Sequence, residues 1–508
     1  MLEEERKYEV RGDFALPALG ECLPPGGRVV RLPPVTLTAT YFDAPDLRLA
    51  RAGVSLRHRD GDREPWTVKL PAELPGVRHE ISRAGSAGEP PADLVALVSA
   101  YSRGARLRPV VVIRTARQAY ELRDGDDRVL AELADDTVTV LDGATAPSTF
   151  REIEVERKDG PRRLLDEIEA PLRQGGATVT GFTPKHVRAL GEAASAPADL
   201  VPPADLPRRP TGGDVVSAAI RRSVGRMLSY DPLVRLRAPA DGKTAVHRMR
   251  AATRRLRSDL RTFAPLVRAD WSRSLRAELK WLADALGAAR DAEVLRDRLR
   301  RTADADPLCP PDAPVVARLD AQLAARHERA LTGLDEVLRS QRYLTLVEAL
   351  VQATRDPLLT PRAGSRADRL LPRLVSRRWR RLAYGGKGVD GAGDLDPDAP
   401  DGRWHAVRLN GKKARYAVDA VVPVAGGAAK KLAKALAGVQ DLLGEHQDAV
   451  VAAETWRDIA RAHPDDHALA LTAGRLFERE RTVVRAVRAD FPRVWRRATG
   501  GRRTDWLS

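Results

Sequence analysis

The chain has 508 residues, 43% hydrophobic and 31% charged, which fits about two to four folded domains and excludes global disorder. Aromatics at 5% argue against a surface built from stacked bases, and two cysteines, Cys22 and Cys309, exclude a disulfide framework or a cysteine zinc site and point to a reducing cytoplasm. The net charge of +16 is uneven: residues 1–190 hold 28 Lys+Arg against 30 Asp+Glu, so the remainder holds 58 against 40, a net +18 that suits a polyanionic partner. No apolar run reaches the roughly 18 residues of a membrane span, and the acidic start MLEEERKYEV carries no secretory core.

The first part of the chain alternates with period two. VTLTATYFD (35–43), VSLRHR (54–59), PWTVKL (65–70), VVIRTARQAYEL (111–122), RVLAELAD (128–135) and FREIEVERK (150–158) read as strands between Gly, Pro and Asp turns, and 91–102 and 161–174 read as helices. This predicts an α+β domain or a barrel. On the alternating strands Glu3, Glu5 and Lys7 share one face, Arg57 and Arg59 another, and Glu152, Glu154 and Glu156 a third. Converging inside a barrel, such faces offer carboxylates to a hard cation and Arg/Lys to phosphate.

The stretch 191–213, with five prolines and no amphipathic period, reads as a linker. Beyond it the period is helical, in segments such as 214–230, 243–265, 272–301, 314–339, 366–383 and 427–460, interrupted by a flexible stretch at 385–402. Two motifs repeat. VHRMRAATRRLR (246–257) aligns with WHAVRLNGKKARY (404–416), and LGAARDAEVL (286–295) with LGEHQDAVVA (443–452), at offsets of 158 and 157 residues. At about 100° per residue, His247, Arg250, Arg254, Arg257 and Arg261 fall on one face, opposed by Met249, Ala252, Leu256, Leu260 and Phe263. His405, Arg408, Lys412 and Arg415 repeat the stripe, opposed by Val407, Ala414, Val418 and Val421. Two matched basic stripes suggest a groove of cations that follows a chain of phosphates.

The helical part, about 214–500, resembles the CHAD domain through V246-H247-R248-M249-R250-x3-R254-R255-L256-R257 and W404-H405-x2-R408-x3-K412-K413. The resemblance implies two pseudo-symmetric four-helix bundles, repeats of about 214–384 and 403–500, around a basic cavity that binds inorganic polyphosphate. His247, Arg250, Arg254, Arg255, Arg257, His405, Arg408, Lys412, Lys413 and Arg415 would be its binding residues. Lysines at 412 and 413 keep charge but lose the bidentate fork.

Residues 1–190 resemble the CYTH, or triphosphate tunnel, family through ExExK (Glu3, Glu5, Lys7), YFDAPDLRLARAGVSLRHR (41–59), TVKLP (67–71), AELADD (131–136), the E-x-E-x-E of 152–156 and TPKHVRAL (183–190). The resemblance implies an eight-stranded antiparallel tunnel and Mg²⁺- or Mn²⁺-dependent chemistry on triphosphates. Glu3, Glu5, Lys7 and Lys185 would serve catalysis, with Lys185 near the scissile phosphate. Lys7, Arg57, Arg59, Lys69 and Arg114 would hold phosphates, with Arg117 the alternative to Arg114. Glu5, Glu132, Glu152 and Glu154 would hold the metal, and Asp135 and Asp136 compete for an assisting role. In RHEISR (78–83) only Glu80 stands where relatives often carry two acids. The histidines show no paired ligand spacing for zinc, and no Walker A loop or Rossmann fingerprint is present.

The expected function is therefore a cytoplasmic metal-dependent inorganic triphosphatase joined to a polyphosphate-binding helical domain. Two other readings stay open: a class IV-type adenylyl cyclase, and a polyphosphate-binding protein of polyphosphate granules whose tunnel only binds. Nucleic acid is disfavoured, because no helix-turn-helix, zinc finger or RNA-binding motif is visible.

Overall fold

Period-two alternation in the first part of the chain becomes ten paired strands in the computed structural model, which describes residues 2–72, 76–142, 149–179, 183–240, 242–305, 310–386, 388–500 and 503–507. Cys309 lies outside the described residues. The chain divides into two units at Asp199/Leu200.

In the first unit the strands are β1 (Leu2–Val10), β2 (Arg28–Arg31), β3 (Val35–Asp43), β4 (Ser55–Arg59), β5 (Trp66–Pro71), β6 (Val77–Arg83), β7 (Arg108–Arg123), β8 (Val129–Asp142), β9 (Thr149–Arg157) and β10 (Thr178–Val179). Eight of them follow the antiparallel order β1-β6-β5-β4-β3-β7-β8-β9, and β9 pairs back onto β1, closing a barrel. β2 pairs with β7 outside this circuit, and β10 with β1.

The barrel buries charged side chains in its lumen and packs much of its apolar core on the outer face. Tyr8, Val10, Leu133, Ile153 and Val155 point outward and pack under the Arg163–Gln174 helix through Leu164, Leu165, Ile168 and Leu172. The alternate residues of the same strands, Glu5, Lys7 and Glu154, therefore line the lumen. Part of the lumen is apolar: Ala39, Tyr41, Ile113, Val138 and Val140 close around Ala189 of the Lys185–Leu190 helix. Packing of Ala189 there carries Lys185, at the start of the same helix, to the lumen.

The stretch expected as a linker begins folded. It holds a short helix, Glu192–Ser195, and Asp199 accepts from Arg51 and Arg103. Thr211 caps the first long helix by a reciprocal capping box with Asp214, so that helix starts at Gly212, inside the predicted linker.

The second unit is helical: Gly212–Arg235, Ala245–Thr262, Ala269–Ala303, Ala313–Arg339, Gln341–Arg355, Ala367–Ala383, Asp401–Ala462 and His467–Thr499. Gly426 breaks Asp401–Ala462 with φ 64° and ψ −143°, a conformation essentially confined to glycine. The long helix is thus two, and a four-helix order occurs twice, with Gln341–Arg355 between the sets. Met249, Leu256, Leu260 and Phe263, and Val407, Ala414, Val418 and Val421, are buried as the periodicity requires.

Gly426→Ala is expected to cost about 1–3 kcal/mol, whereas Gly427→Ala, with open space for a Cβ, should be neutral within about 1 kcal/mol. Thermal unfolding of the two variants beside the parent checks this; equal midpoints would mean the bend carries no strain.

Candidate functional sites

The barrel encloses a cavity of about 260 Å³. Glu3, Glu5, Lys7, Arg57, Arg59, Lys69, Arg117, Glu132, Glu154 and Lys185 all line it. Glu152 is buried beside it at 2% exposure, held by Lys185 at 2.9 Å and Arg188 at 3.5 Å. Strand register makes neighbours of residues far apart in sequence. Lys7 stands opposite Glu154 across β1/β9, Arg117 opposite Asp136 across β7/β8, and Lys69 opposite Glu80 across β5/β6.

Two sequence expectations are corrected. Arg114 is exposed on the outside of β7, because residues 113, 115 and 117 take the inner face and leave 114 and 116 outward. Arg117 is the inward arginine. Asp135 likewise faces out and binds Arg151, with both contacts at 2.7–2.8 Å. Asp136 faces in and is fully buried at 0% exposure.

Asp136 accepts two bonds from Arg117, at 2.8 and 2.7 Å, and one ion pair from Lys185 at 2.9 Å. Lys185 also reaches Glu154 at 2.7 Å, and Glu154 takes Lys7 and Arg117 as well. Burial pulls the Glu154 carboxyl upward, yet Lys185, Lys7 and Arg117 together hold it well below the usual carboxylate range. The same partnership works in reverse on Lys185: burial pulls it down, but Glu154, Asp136 and Glu152 raise it above an ordinary lysine. Both ends of the network are charged at neutral pH.

A second cluster forms where Lys69 is shared by Glu3 at 2.6 Å and Glu80 at 3.0 Å. Burial pushes Glu3 up to about 7; at Glu80 burial also pulls upward, but Lys69, a hydrogen bond with Glu3 and the Arg57 charge together hold it low. The two carboxyls divide one lysine unequally.

The carboxylates also meet one another. Glu132 stands opposite Glu156 across β8/β9, and Glu156 opposite Glu5 across β9/β1. Like charges in register are unfavourable. Lys158 relieves them, 2.6 Å from Glu156 and 3.9 Å from Glu132. An all-oxygen donor set in such register fits a hard divalent cation by its chemistry. As the side chains stand, no group of three or more His, Cys, Asp or Glu is gathered at ligand distance among the described residues; the carboxylates hold lysines and arginines instead.

Sequence reasoning missed Arg78, which lines the cavity two residues from Glu80 on the same face of β6, opposite Glu3 of β1. Alternation in RHEISR was the signal. It also passed over Tyr41, Lys158 and His186.

In the helical unit the two basic stripes meet. Ala245–Thr262 packs on Asp401–Ala462, and Arg250 and Arg254 press electrostatically on Arg408 and Lys412. Burial first, then Arg254, Arg408 and Arg250, drives Lys412 down to about 6. His247 and His405 are half-buried; burial, then Arg290, takes His247 to about 4. The aligned second motif supplies counter-charge: Asp291 lies 3.4 Å from Arg250, and Asp448 opposes the burial of Arg408. Gly287 lies beside the Arg250 guanidinium, 3.4 Å from where a Cβ would stand, which is ordinary van der Waals contact. Arg257 and Lys413 are partly buried among Arg261, Arg276, Arg378 and Arg381. Arg255 serves otherwise: it bridges Asp259 at 3.0 Å and Asp419 at 3.1 Å, tying the two helices together. Arg415 lies 3.6 Å from the same Asp419.

The tunnel of paired charges and the doubled basic stripe define a two-domain protein, a charged barrel lumen in the first unit and a basic helical stripe in the second. Family models agree: a CYTH domain matches residues 1–177 and a CHAD domain residues 218–457. A curated relative, "Uncharacterized protein Rv2226" of Mycobacterium tuberculosis (strain ATCC 25618 / H37Rv), is 33% identical over 503 residues, covering 94% of this chain and 93% of its own length. The chain therefore belongs to the family of proteins that join a CYTH domain to a CHAD domain. Among solved structures, PptA from Streptomyces chartreusis is 26% identical with a TM-score of 0.47, covering 56% of this chain and 99% of that one. The CHAD domain of Ricinus communis is 22% identical with a TM-score of 0.42, covering 57% and 96%.

Asp136→Ala removes a carboxylate shared by Arg117 and Lys185 and leaves a void, while Glu154 still faces both cations and Glu152 faces Lys185. It is expected to destabilise the tunnel unit by about 2–4 kcal/mol, read as a lower unfolding midpoint. An unchanged midpoint would show that the pairing is not structural.

Proposed function

We propose that the tunnel is a metal-dependent hydrolase of inorganic triphosphate or a closely related triphosphate, and that the helical unit binds inorganic polyphosphate. The observation that carries the first reading is the closed network in which Lys7, Arg117 and Lys185 share Glu154, Asp136 and Glu152. Carboxylate oxygens there occupy the cations as phosphate oxygens would. A phosphate chain entering the tunnel takes over those cations and frees carboxylates in the same event.

Glu5, Glu132, Glu152 and Glu154 would hold Mg²⁺ or Mn²⁺, which when bound supplies charge neutralisation on the phosphates and an activated water. Lys7, Arg57, Arg59, Lys69, Arg78 and Arg117 grip the phosphate oxygens, which fixes the chain in line for attack. Lys185 stabilises negative charge on the phosphoryl group as water displaces pyrophosphate. Glu154→Gln should lower metal-dependent phosphate release from triphosphate at least about 100-fold, because it removes a shared carboxylate. Release at the parental rate under limiting metal would contradict the assignment. ATP and thiamine triphosphate run in parallel define the substrate.

Support for polyphosphate binding comes from cations of both repeats crowded without equal counter-charge. Lys412, held near 6 by burial and by its cationic neighbours, is mostly neutral above that pH. A bound polyanion favours its ammonium form, so binding takes up a proton and affinity falls as pH rises above about 6, by up to about tenfold per unit. Lys412→Arg keeps its charge and should flatten that profile. Titrating fluorescent polyphosphate at pH 6, 7 and 8, at two salt concentrations, checks it. Identical pH slopes in parent and variant would remove Lys412 from the site.

A further inference from the structure

The Lys185–Leu190 helix brings a second side chain to the tunnel wall. His186 lines the cavity next to Lys185, is 4% exposed, and its Nε2 has no hydrogen-bond partner in the protein. Buried polar atoms are nearly always paired, so an orphan nitrogen in the wall of a polar cavity calls for a ligand. Arg57 Nε, another buried nitrogen of the cavity lining, is also without a partner.

The ring is held in place. It stacks on Tyr41 with centroids 4.7 Å apart and planes 13° from parallel. Tyr41 is itself tied to Arg57, its register partner across β3/β4. The charged groups facing the imidazole are Arg78 from β6, Lys7 from β1 and Arg57 from β4, with Lys185 preceding it on its own helix. Burial first, then these three cations, drives His186 down to about 3, so the ring is neutral. A neutral ring is not drawn into the salt bridges that occupy Lys7 and Lys185. Its donor stays available for an incoming anion.

We propose that His186 is a substrate-contacting residue, donating Nε2–H to a phosphate oxygen of a triphosphate held among Arg57, Arg78 and Lys185, with Tyr41 as the positioning residue that holds the ring. This rests on the tunnel being a triphosphate site. The donor sets a contact that is insensitive to the protonation of the surrounding carboxylates, unlike the ion pairs around it.

The test uses the full chain. His186→Phe keeps an aromatic ring on Tyr41 and removes the nitrogen; His186→Gln places an amide N–H near the Nε2 position. The expected result is a kcat/KM for inorganic triphosphate about tenfold or more lower in the Phe variant, the size of one lost hydrogen bond to a charged group, and within about threefold of parent in the Gln variant. Imidazole ¹H–¹⁵N spectra of the parent should show one resonance, absent from the Phe variant, that shifts when inorganic triphosphate is added. A Phe variant with parental kcat/KM overturns the proposal, as does equal loss in both variants with an unshifted resonance, which would mean a packing role. If the parent does not hydrolyse triphosphate, the hydrolase reading fails separately, and the resonance alone decides: a shift supports the contact and no shift rejects it. The Gln variant and the spectrum keep the test open if the Phe variant does not fold.

Discussion

A closed barrel with its charges inside must balance them. Moving an ion out of water costs several kcal/mol even after relaxation, so a lumen lined with carboxylates persists only if cations stand beside them. That requirement explains the pattern in which Glu5, Asp136, Glu152 and Glu154 of β1, β8 and β9 are met by Lys7 of β1, Arg117 of β7, and Lys185 and Arg188 of the Lys185–Leu190 helix. It also explains why the apolar core lies on the outer surface, under the Arg163–Gln174 helix. The lumen is consequently poised near neutrality, and in the proposed function it would become a phosphate site by exchange of partners.

The helical unit answers the same electrostatics differently. Its groove cations stay half-buried, and many lie among other cations, so burial and repulsion lower the pKa of Arg250, Arg408 and Lys412. That repulsion is tolerable because the opposite faces of the same helices, through Met249, Leu256, Val407 and Val418, are fully packed. Asp291 and Asp448, repeated in register, hold part of the stripe in place, and Asp419 faces Arg415. In the proposed function a polyanion would supply what the stripe lacks, whereas in the tunnel it would replace what is already there.

Alternation makes the tunnel legible in the amino-acid sequence: once Glu3, Glu5 and Lys7 fall on one face and the barrel closes, their lumenal position follows. The helical duplication is legible because two motifs share an offset. Parity at an irregular strand is not. β7 shifts register against β8 between Val112 and Ile113 and pairs irregularly with β3 between Tyr41 and Phe42, so spacing does not rank Arg114 against Arg117. The same holds for the adjacent Asp135 and Asp136, which differ only in which face each takes. Arg255 misleads because it sits inside a basic motif, yet its partner Asp419 lies 164 residues away. His186 escapes notice since its environment comes from β1, β3, β4 and β6, none of them local in sequence.

The central claim is that triphosphate and a divalent cation take over the ion pairs of the lumen. A crystal structure of the full chain with inorganic triphosphate and Mn²⁺, with the metal located by anomalous scattering, tests it most directly. The account predicts a metal peak among Glu5, Glu132, Glu152 and Glu154, and phosphate oxygens on Lys7, Arg117 and Lys185 in place of their carboxylate partners. Triphosphate found solely along the stripe of Arg250, Arg254, Arg408 and Lys412, with the lumenal salt bridges intact, would contradict it.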